Sequence, residues 1–133
     1  MKQQDVKQIN TTALAFMGDA VYETEIRRHI LKTGQWNADK LHRIAVTFVR
    51  AQSQATILKA LINELTEEER DLVRKARNRK ITSKPQNTDP VTYKLATAFE
   101  ALVGYLYLSE DTQRLQWLIS RAIQIAGDKG EEQ

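Results

Sequence analysis

The chain has 133 residues, with 20 Lys+Arg against 17 Asp+Glu and a formal charge of +3. That length suits one domain with a real core, and 41% hydrophobic with 28% charged residues describes a folded chain, not a disordered one. The absence of cysteine excludes disulfide scaffolds, thiol nucleophiles, Cys-based zinc sites and iron–sulfur clusters. No apolar run approaches a membrane span, and MKQQDVKQ lacks the apolar segment of a secretory signal. These features lead us to expect a soluble, cytoplasmic, single-domain protein spanning 1–133, with a core over about 12–126 and a flexible tail at 127–133.

With five Gly, two Pro and no sustained strand alternation, every segment reads helical. The first helix is predicted from near Thr12 to about Lys32, with Leu14, Met17, Val21, Ile26 and Ile30 at helical spacing and Gly34 as its breaker. Asn37 caps a second helix that buries Leu41, Ile44, Ala45 and Phe48. A third covers roughly Ala51 to Asn63, and the pattern leaves open whether residues 48–54 are continuous helix or a kink. Thr66 with Glu69 forms a capping box for a fourth helix reaching about Asn78. A polar, basic loop follows, from Arg79 to Thr88. Asp89 then Pro90 starts a fifth helix to about Leu108, apolar over so wide an arc that it should be central. A sixth begins at Asp111, carries Leu115, Leu118, Ile119, Ala122 and Ile125 inward, and is predicted to stop at Gly127. The expected architecture is a compact all-α bundle of about six or seven helices.

Two carboxylates lie inside apolar helical runs: Asp19 in LAFMGDAVY and Glu100 in LATAFEALVGYLYL. A buried carboxylate needs a partner, a proton or a metal. Two brought together repel unless a cation lies between them, and Mg²⁺ accepts one or two carboxylates while keeping waters and taking phosphate oxygens. Gly18 precedes Asp19, and Gly104 follows Glu100 by one turn. Glycine inside a helix permits close backbone approach, so the economical arrangement is a tight crossing that joins the acids. The plain alternatives are structural: Asp19 paired with Arg27, Arg28 or a lysine at the rim of the bundle, Glu100 capping a neighbouring turn or paired with Arg50, and Glu23 paired with Arg27 at the next turn. His29 and His42 read as polar helix-face residues.

Seven basic residues and one acid lie between Arg70 and Lys84. Such a tract can meet a phosphate backbone, or be only a solvated helix end and loop. The RNA-binding candidates are Arg74, Arg77, Asn78, Arg79, Lys80, Ser83, Lys84, Gln86 and Lys94, as cations or as hydrogen-bonding groups for phosphate and 2′-hydroxyl.

ALAFMGDAVYE resembles the first motif of the ribonuclease III catalytic domain, and TAFEALVGYLYL resembles the second. The tract ARNRKITSKPQNTDPVTYKLATAFEA and the short chain are similar to mini-ribonuclease III, the bacterial form without a double-stranded-RNA-binding domain. The resemblance runs from Ala13 to Ile125. It implies a Mg²⁺-dependent endoribonuclease, with Mn²⁺ able to substitute, in which Asp19 and Glu100 are catalytic metal ligands. Two further acidic positions of the family fall on Ala15 and Thr97 here, leaving Thr97 and Glu23 as second-tier candidates around the ion. The resemblance further implies a homodimer with a valley for double-stranded RNA and products ending in 5′-phosphate and 3′-hydroxyl. Its implied substrate is a precursor of large-subunit ribosomal RNA, and a ribosomal protein is a conceivable helper. Tyr22, Phe16, Trp36 and Phe48 are interface candidates, with core packing favoured for Phe16 and Phe48. The rival functions are a non-catalytic RNA-binding or ribosome-assembly protein and a helical adaptor.

Overall fold

The computed structural model describes residues 1–34, 36–80 and 88–131, with side chains as far as Gly127. Ser83, Lys84 and Gln86 therefore lie outside the described residues. Among the described residues seven α-helices follow in order: α1 (Gln3–Val6), α2 (Thr11–Lys32), α3 (Ala38–Val49), α4 (Ala51–Leu61), α5 (Glu67–Arg77), α6 (Pro90–Leu108) and α7 (Thr112–Glu131). A 3₁₀ turn, Ile62–Glu64, extends α4. The fold is all-α, and no strand occurs among the described residues. Among them, no helix is long and apolar enough to cross a membrane.

Local chemistry sets the boundaries. The Asn10 side chain accepts from the Ala13 amide at 2.9 Å to open α2, and Asn37 accepts from Lys40 at 3.1 Å to open α3. Both halves of the Thr66–Glu69 capping box are present at α5. Asp89 accepts from Val91 and Thr92 ahead of Pro90. Its carboxyl is held below the usual range, first by Thr92. Gly34, at φ 88°, ends α2 in a conformation costly to other residues. The 48–54 question resolves as a break: Arg50, extended at φ −64° and ψ 152°, ends α3 and starts α4.

Two boundaries differ from the sequence reading. Helix α7 continues through Gly127 to Glu131, so this part of the expected flexible tail is helical. A helical glycine costs only about 1 kcal/mol, and Gly127 lacks the positive φ that would turn the chain away. The short α1 is also absent from the prediction, because four residues are too few for a period. It is held by Val6, which is fully buried, and by Gln3, which donates to the Tyr105 hydroxyl at 2.9 Å.

Helix α6 forms the axis of the bundle. Its residues Ala101 to Leu106 are all buried, and α2, α4, α5 and α7 pack around it. Tyr22 of α2 meets Phe99 of α6 edge-to-face with centroids 5.0 Å apart, and its hydroxyl donates to the Phe48 carbonyl at 3.3 Å. Burial pushes the Tyr22 phenol far up. Tyr22 is thus a core residue and not an interface one, and Phe48 is also in the core. Phe16 reverses the expectation: it is 81% exposed, and Trp36 is 77% exposed. Ile44 is also exposed, and α3 meets the bundle through Phe48 together with the partly buried Leu41, Ala45 and Val49. At the far end, buried Glu69 holds Arg114 through two 2.8 Å bonds, and the guanidinium lies 3.7 Å from the Trp117 ring centroid. Burial pushes the Glu69 carboxyl up, but Arg114 and Thr66 together bring it below its ordinary value.

Candidate active site

Helices α2 and α6 meet backbone to backbone. A methyl group placed on Gly18 would lie 1.7 Å from the Glu100 carbonyl oxygen, and one on Gly104 would lie 2.0 Å from the Leu14 carbonyl oxygen. Either glycine as any other residue would force the helices apart. Because Asp19 follows Gly18 and Glu100 is the residue Gly18 touches, the crossing delivers both acids to one place.

The two carboxyls sense each other directly. Glu100 is half-buried and its carboxyl is pushed up to about 8. Burial is the larger cause, and hydrogen bonding and charge from Asp19 add to it. A hydrogen bond from Gln54 of α4 opposes the shift. Asp19 itself is on the solvent side of the pair. The cations offered to these acids by sequence are engaged elsewhere. Arg27 donates to Glu23 at 2.8 Å, Arg28 donates to Glu25 at 2.6 Å, and Arg50 donates to the Ser53 hydroxyl at 3.1 Å. Glu23 is therefore in a salt bridge on the exposed helix face.

Thr97, half-buried, lies one turn before Glu100, and Ala15, buried, lies one turn before Asp19. Among the described residues no group of three or more His, Cys, Asp or Glu gathers in a way that could hold a metal. His29 packs its ring against Phe48 at 6.0 Å between centroids, and His42 is exposed on α3.

Gln54 is the residue that sequence reasoning missed. It is 2% exposed and donates to the Val49 carbonyl at 3.0 Å. The signal was present: residues 54, 58 and 61 share one face of α4, so Gln54 is an amide on an apolar stripe.

The basic candidates occupy the end of α5 and the start of α6. Arg74, Arg77, Asn78, Arg79 and Lys80 are exposed. Arg74 is paired with Asp71, and Arg79 donates to the Asn10 side chain at 3.3 Å, which holds it near the α2 N-terminus. Lys94 is half-buried and precedes Thr97 and Glu100 at three-residue intervals along α6. This ridge links the basic end of the molecule to the acids.

A titration follows from the raised Glu100. Its folded value near 8 exceeds its ordinary 4.5, so its contribution to stability is complete below 4.5 and lost as pH climbs through 8. In divalent-free buffer, the unfolding midpoint is expected to fall between about pH 5 and about pH 9. Glu100→Gln should flatten that decline, as calorimetry at stepped pH would show.

The chain is similar to known proteins over most of its length. The Ribonuclease III domain family matches residues 12–111. A Mini-ribonuclease 3 of Streptococcus pneumoniae is 43% identical over 122 residues, covering 90% of this chain and 95% of the relative. That of Symbiobacterium thermophilum is 45% identical over 115 residues, covering 86% and 85%. A crystal structure of a protein from Fusobacterium nucleatum superposes with a TM-score of 0.82 at 34% identity, covering 93% of this chain and 98% of that one. By this extent of matching, the chain belongs to the ribonuclease III domain family, within the mini-ribonuclease III group.

Proposed function

We propose that the chain is a Mg²⁺-dependent endoribonuclease that cuts double-stranded RNA. The observation carrying this reading is the acid pair at the Gly18–Gly104 crossing, where burial first and the Asp19 carboxyl second push the Glu100 carboxyl up to about 8. Membership of a ribonuclease family supports the reaction class. A hard divalent cation fits the pair: both donors are carboxylate oxygens, and a cation there would offset the burial and the Asp19 charge that push the Glu100 carboxyl up. Mg²⁺ accepts one or two carboxylates and keeps several of its waters.

Asp19 and Glu100 would hold the ion. When bound, such an ion supplies a water of lowered pKa and positive charge to offset what builds on the phosphate. Glu100 is fixed from below by the core. Asp19, at the solvent edge, is the side of the pair that RNA reaches first. Neither histidine stands beside the acids. The products expected are 5′-phosphate and 3′-hydroxyl ends, and the substrate implied by the family resemblance is a precursor of large-subunit ribosomal RNA. Incubating a duplex with the protein tests the reading directly. Cutting that stops on chelation supports it, and binding without cutting at any Mg²⁺ concentration contradicts it.

Recognition of the duplex falls to the basic end of the molecule. A-form RNA is read by shape, phosphate and 2′-hydroxyl contacts. Arg77, Arg79, Lys80 and Lys94, with Asn78, are the described groups that would supply them, and Ser83, Lys84 and Gln86 complete the tract in sequence. Arg79→Ala with Lys80→Ala is expected to weaken binding of unrelated duplexes equally and reduce the salt slope by about two. Filter binding across a salt series measures both, and an unchanged slope removes these residues from the interface.

A homodimer belongs to the same reading, since two related cuts on a duplex suit a two-fold axis. Phe16 is 81% exposed and lies one turn from Ala20, which lines a cavity of about 680 Å³ together with Met17, Val21, Leu106 and Tyr107. An exposed aromatic beside this hollow, which Thr24, Glu25, Glu110, Thr112 and Gln116 also line, would make a self-complementary knob and hole. Phe16→Asp is expected to leave the fold intact and shift the sedimenting species from two chains to one.

A further inference from the structure

Helix α6 is closed to solvent along most of its length. From Leu95 to Leu106, only Thr97 and Glu100 are not buried. Toward the N-terminus the opening continues at Tyr93 and Lys94, both half-buried. Tyr93 precedes Thr97 by four residues, and Thr97 precedes Glu100 by three, so the three share one face of the helix. Helical side chains lean toward the N-terminus, so a glutamate at position 100 leans over the turn that carries Thr97.

The hydroxyls on this face are uncommitted. A helical threonine commonly turns its hydroxyl back to a carbonyl in the preceding turn, as Thr24 does to Ala20 at 2.9 Å and Thr47 does to Ile44 at 2.6 Å. Two other tyrosines are likewise engaged: Tyr22 donates to the Phe48 carbonyl and Tyr105 to Glu68, each at 3.3 Å. Among the described residues, neither the Thr97 hydroxyl nor the Tyr93 phenol has a hydrogen-bond partner. Both oxygens reach solvent, since among those residues only the Ser109 hydroxyl is shut away without a partner. A strand that brings a phosphate to Glu100 along α6 therefore lies on Thr97 and then on Tyr93. Charge sorts what each group takes. Lys94 suits a phosphate. Thr97 stands next to a carboxylate, which disfavours a second phosphate there. A neutral hydroxyl both donates and accepts, and the ribose 2′-hydroxyl does the same. Seven helical residues span about 10 Å, which carries Tyr93 past the nucleotide at Thr97.

We propose that Thr97 and Tyr93 are substrate contacts that read ribose: Thr97 hydrogen-bonds the 2′-hydroxyl of the nucleotide adjoining the scissile phosphate, and Tyr93 that of a nucleotide further along the same strand. This rests on the reading of Asp19 and Glu100 as the cleavage site given under Proposed function. It gives the active face itself, and not only the basic tract, a means to tell RNA from DNA.

The test is single-turnover cleavage of one RNA duplex and of copies carrying a single 2′-deoxynucleotide at each position around the cut. In the unsubstituted protein, one deoxy position beside the cut is expected to slow cleavage about tenfold. Thr97→Val keeps the side-chain shape and removes the hydroxyl. It should cut the all-RNA duplex about tenfold more slowly, and that same deoxy position should then cost it nothing further. Thr97→Ser should restore both the rate and the sensitivity. Tyr93→Phe should show the same non-additivity at a second position of that strand. Losses that multiply at either residue overturn that residue's contact, and a rate in the unsubstituted protein that no deoxy position changes overturns both. Mn²⁺ binding without RNA gives a readout independent of cleavage: Thr97→Val should stay within about twofold of the unsubstituted protein. A larger loss would place the hydroxyl on the ion's water shell and overturn the ribose assignment. If the unsubstituted protein shows no Mg²⁺-dependent cutting of the all-RNA duplex, the reading of the acid pair fails, and the proposal with it.

Discussion

Gly18→Ala is expected to destabilise the protein by about 3 kcal/mol or more, the upper range for overpacking, because the obstacle is backbone and not a side chain that can rotate away. The added methyl would lie 1.7 Å from the Glu100 carbonyl oxygen and 2.8 Å from the Gly104 nitrogen. Relief requires α2 and α6 to separate, and α6 is the axis on which α4, α5 and α7 also pack. Separation also strips contacts from Tyr22 and Phe99, which meet edge-to-face beside the crossing. Gly104→Ala should behave alike, since its methyl would meet the Leu14 carbonyl oxygen at 2.0 Å. Gly127→Ala is the internal control. Nothing lies within 4 Å of a methyl there, so the substitution removes a poor helix former at no steric cost. Urea unfolding of the three variants separates the cases. A Gly18→Ala midpoint as high as that of Gly127→Ala would mean that the helices do not touch as described.

Asp19→Asn is expected to lower duplex cleavage about 10³-fold, or about 4 kcal/mol in the activation barrier, with the fold retained. Asp19 is on the solvent side of the pair, so an amide of the same shape fits without strain. What is lost is one of the two charges that would hold the cation. The same substitution removes the negative charge that helps raise Glu100, whose carboxyl should then titrate below its value near 8. Duplex binding in chelator should be nearly unaffected, because the basic tract is untouched. Single-turnover cleavage and filter binding on one preparation therefore move apart. Parallel loss of both would indicate that Asp19 supports the fold or the RNA contact and not the chemical step.

The caps and the glycine pair were plain in the sequence, and so was the central place of α6. Asn37, the Thr66–Glu69 box and the Asp89–Pro90 start are local chemistry, decided by residues within a turn of one another. Gly18 and Gly104 were legible because glycine inside a helix has a cost that something must offset. What was not legible depends on distant packing. Whether Phe16 or Tyr22 enters the core is a matter of a rotation of α2, and both fit an apolar stripe there. The low exposure of Val6 comes from the bundle behind it, not from a period four residues could display. Gln54 was visible as an anomaly, but its bond back to the Val49 carbonyl depends on the break at Arg50, which the sequence left open. The alternative pairing of Glu100 with Arg50 does not form, because Arg50, at the break between α3 and α4, donates to Ser53 instead.

Crystals soaked in Mn²⁺ and measured for anomalous scattering give the shortest route to the central claim. The account predicts a peak at the crossing of α2 and α6, within ligand distance of the carboxyls of residues 19 and 100 and lost in Asp19→Asn crystals. Density elsewhere with none at the crossing would contradict it, leaving the two acids as a proton-sharing pair within the bundle.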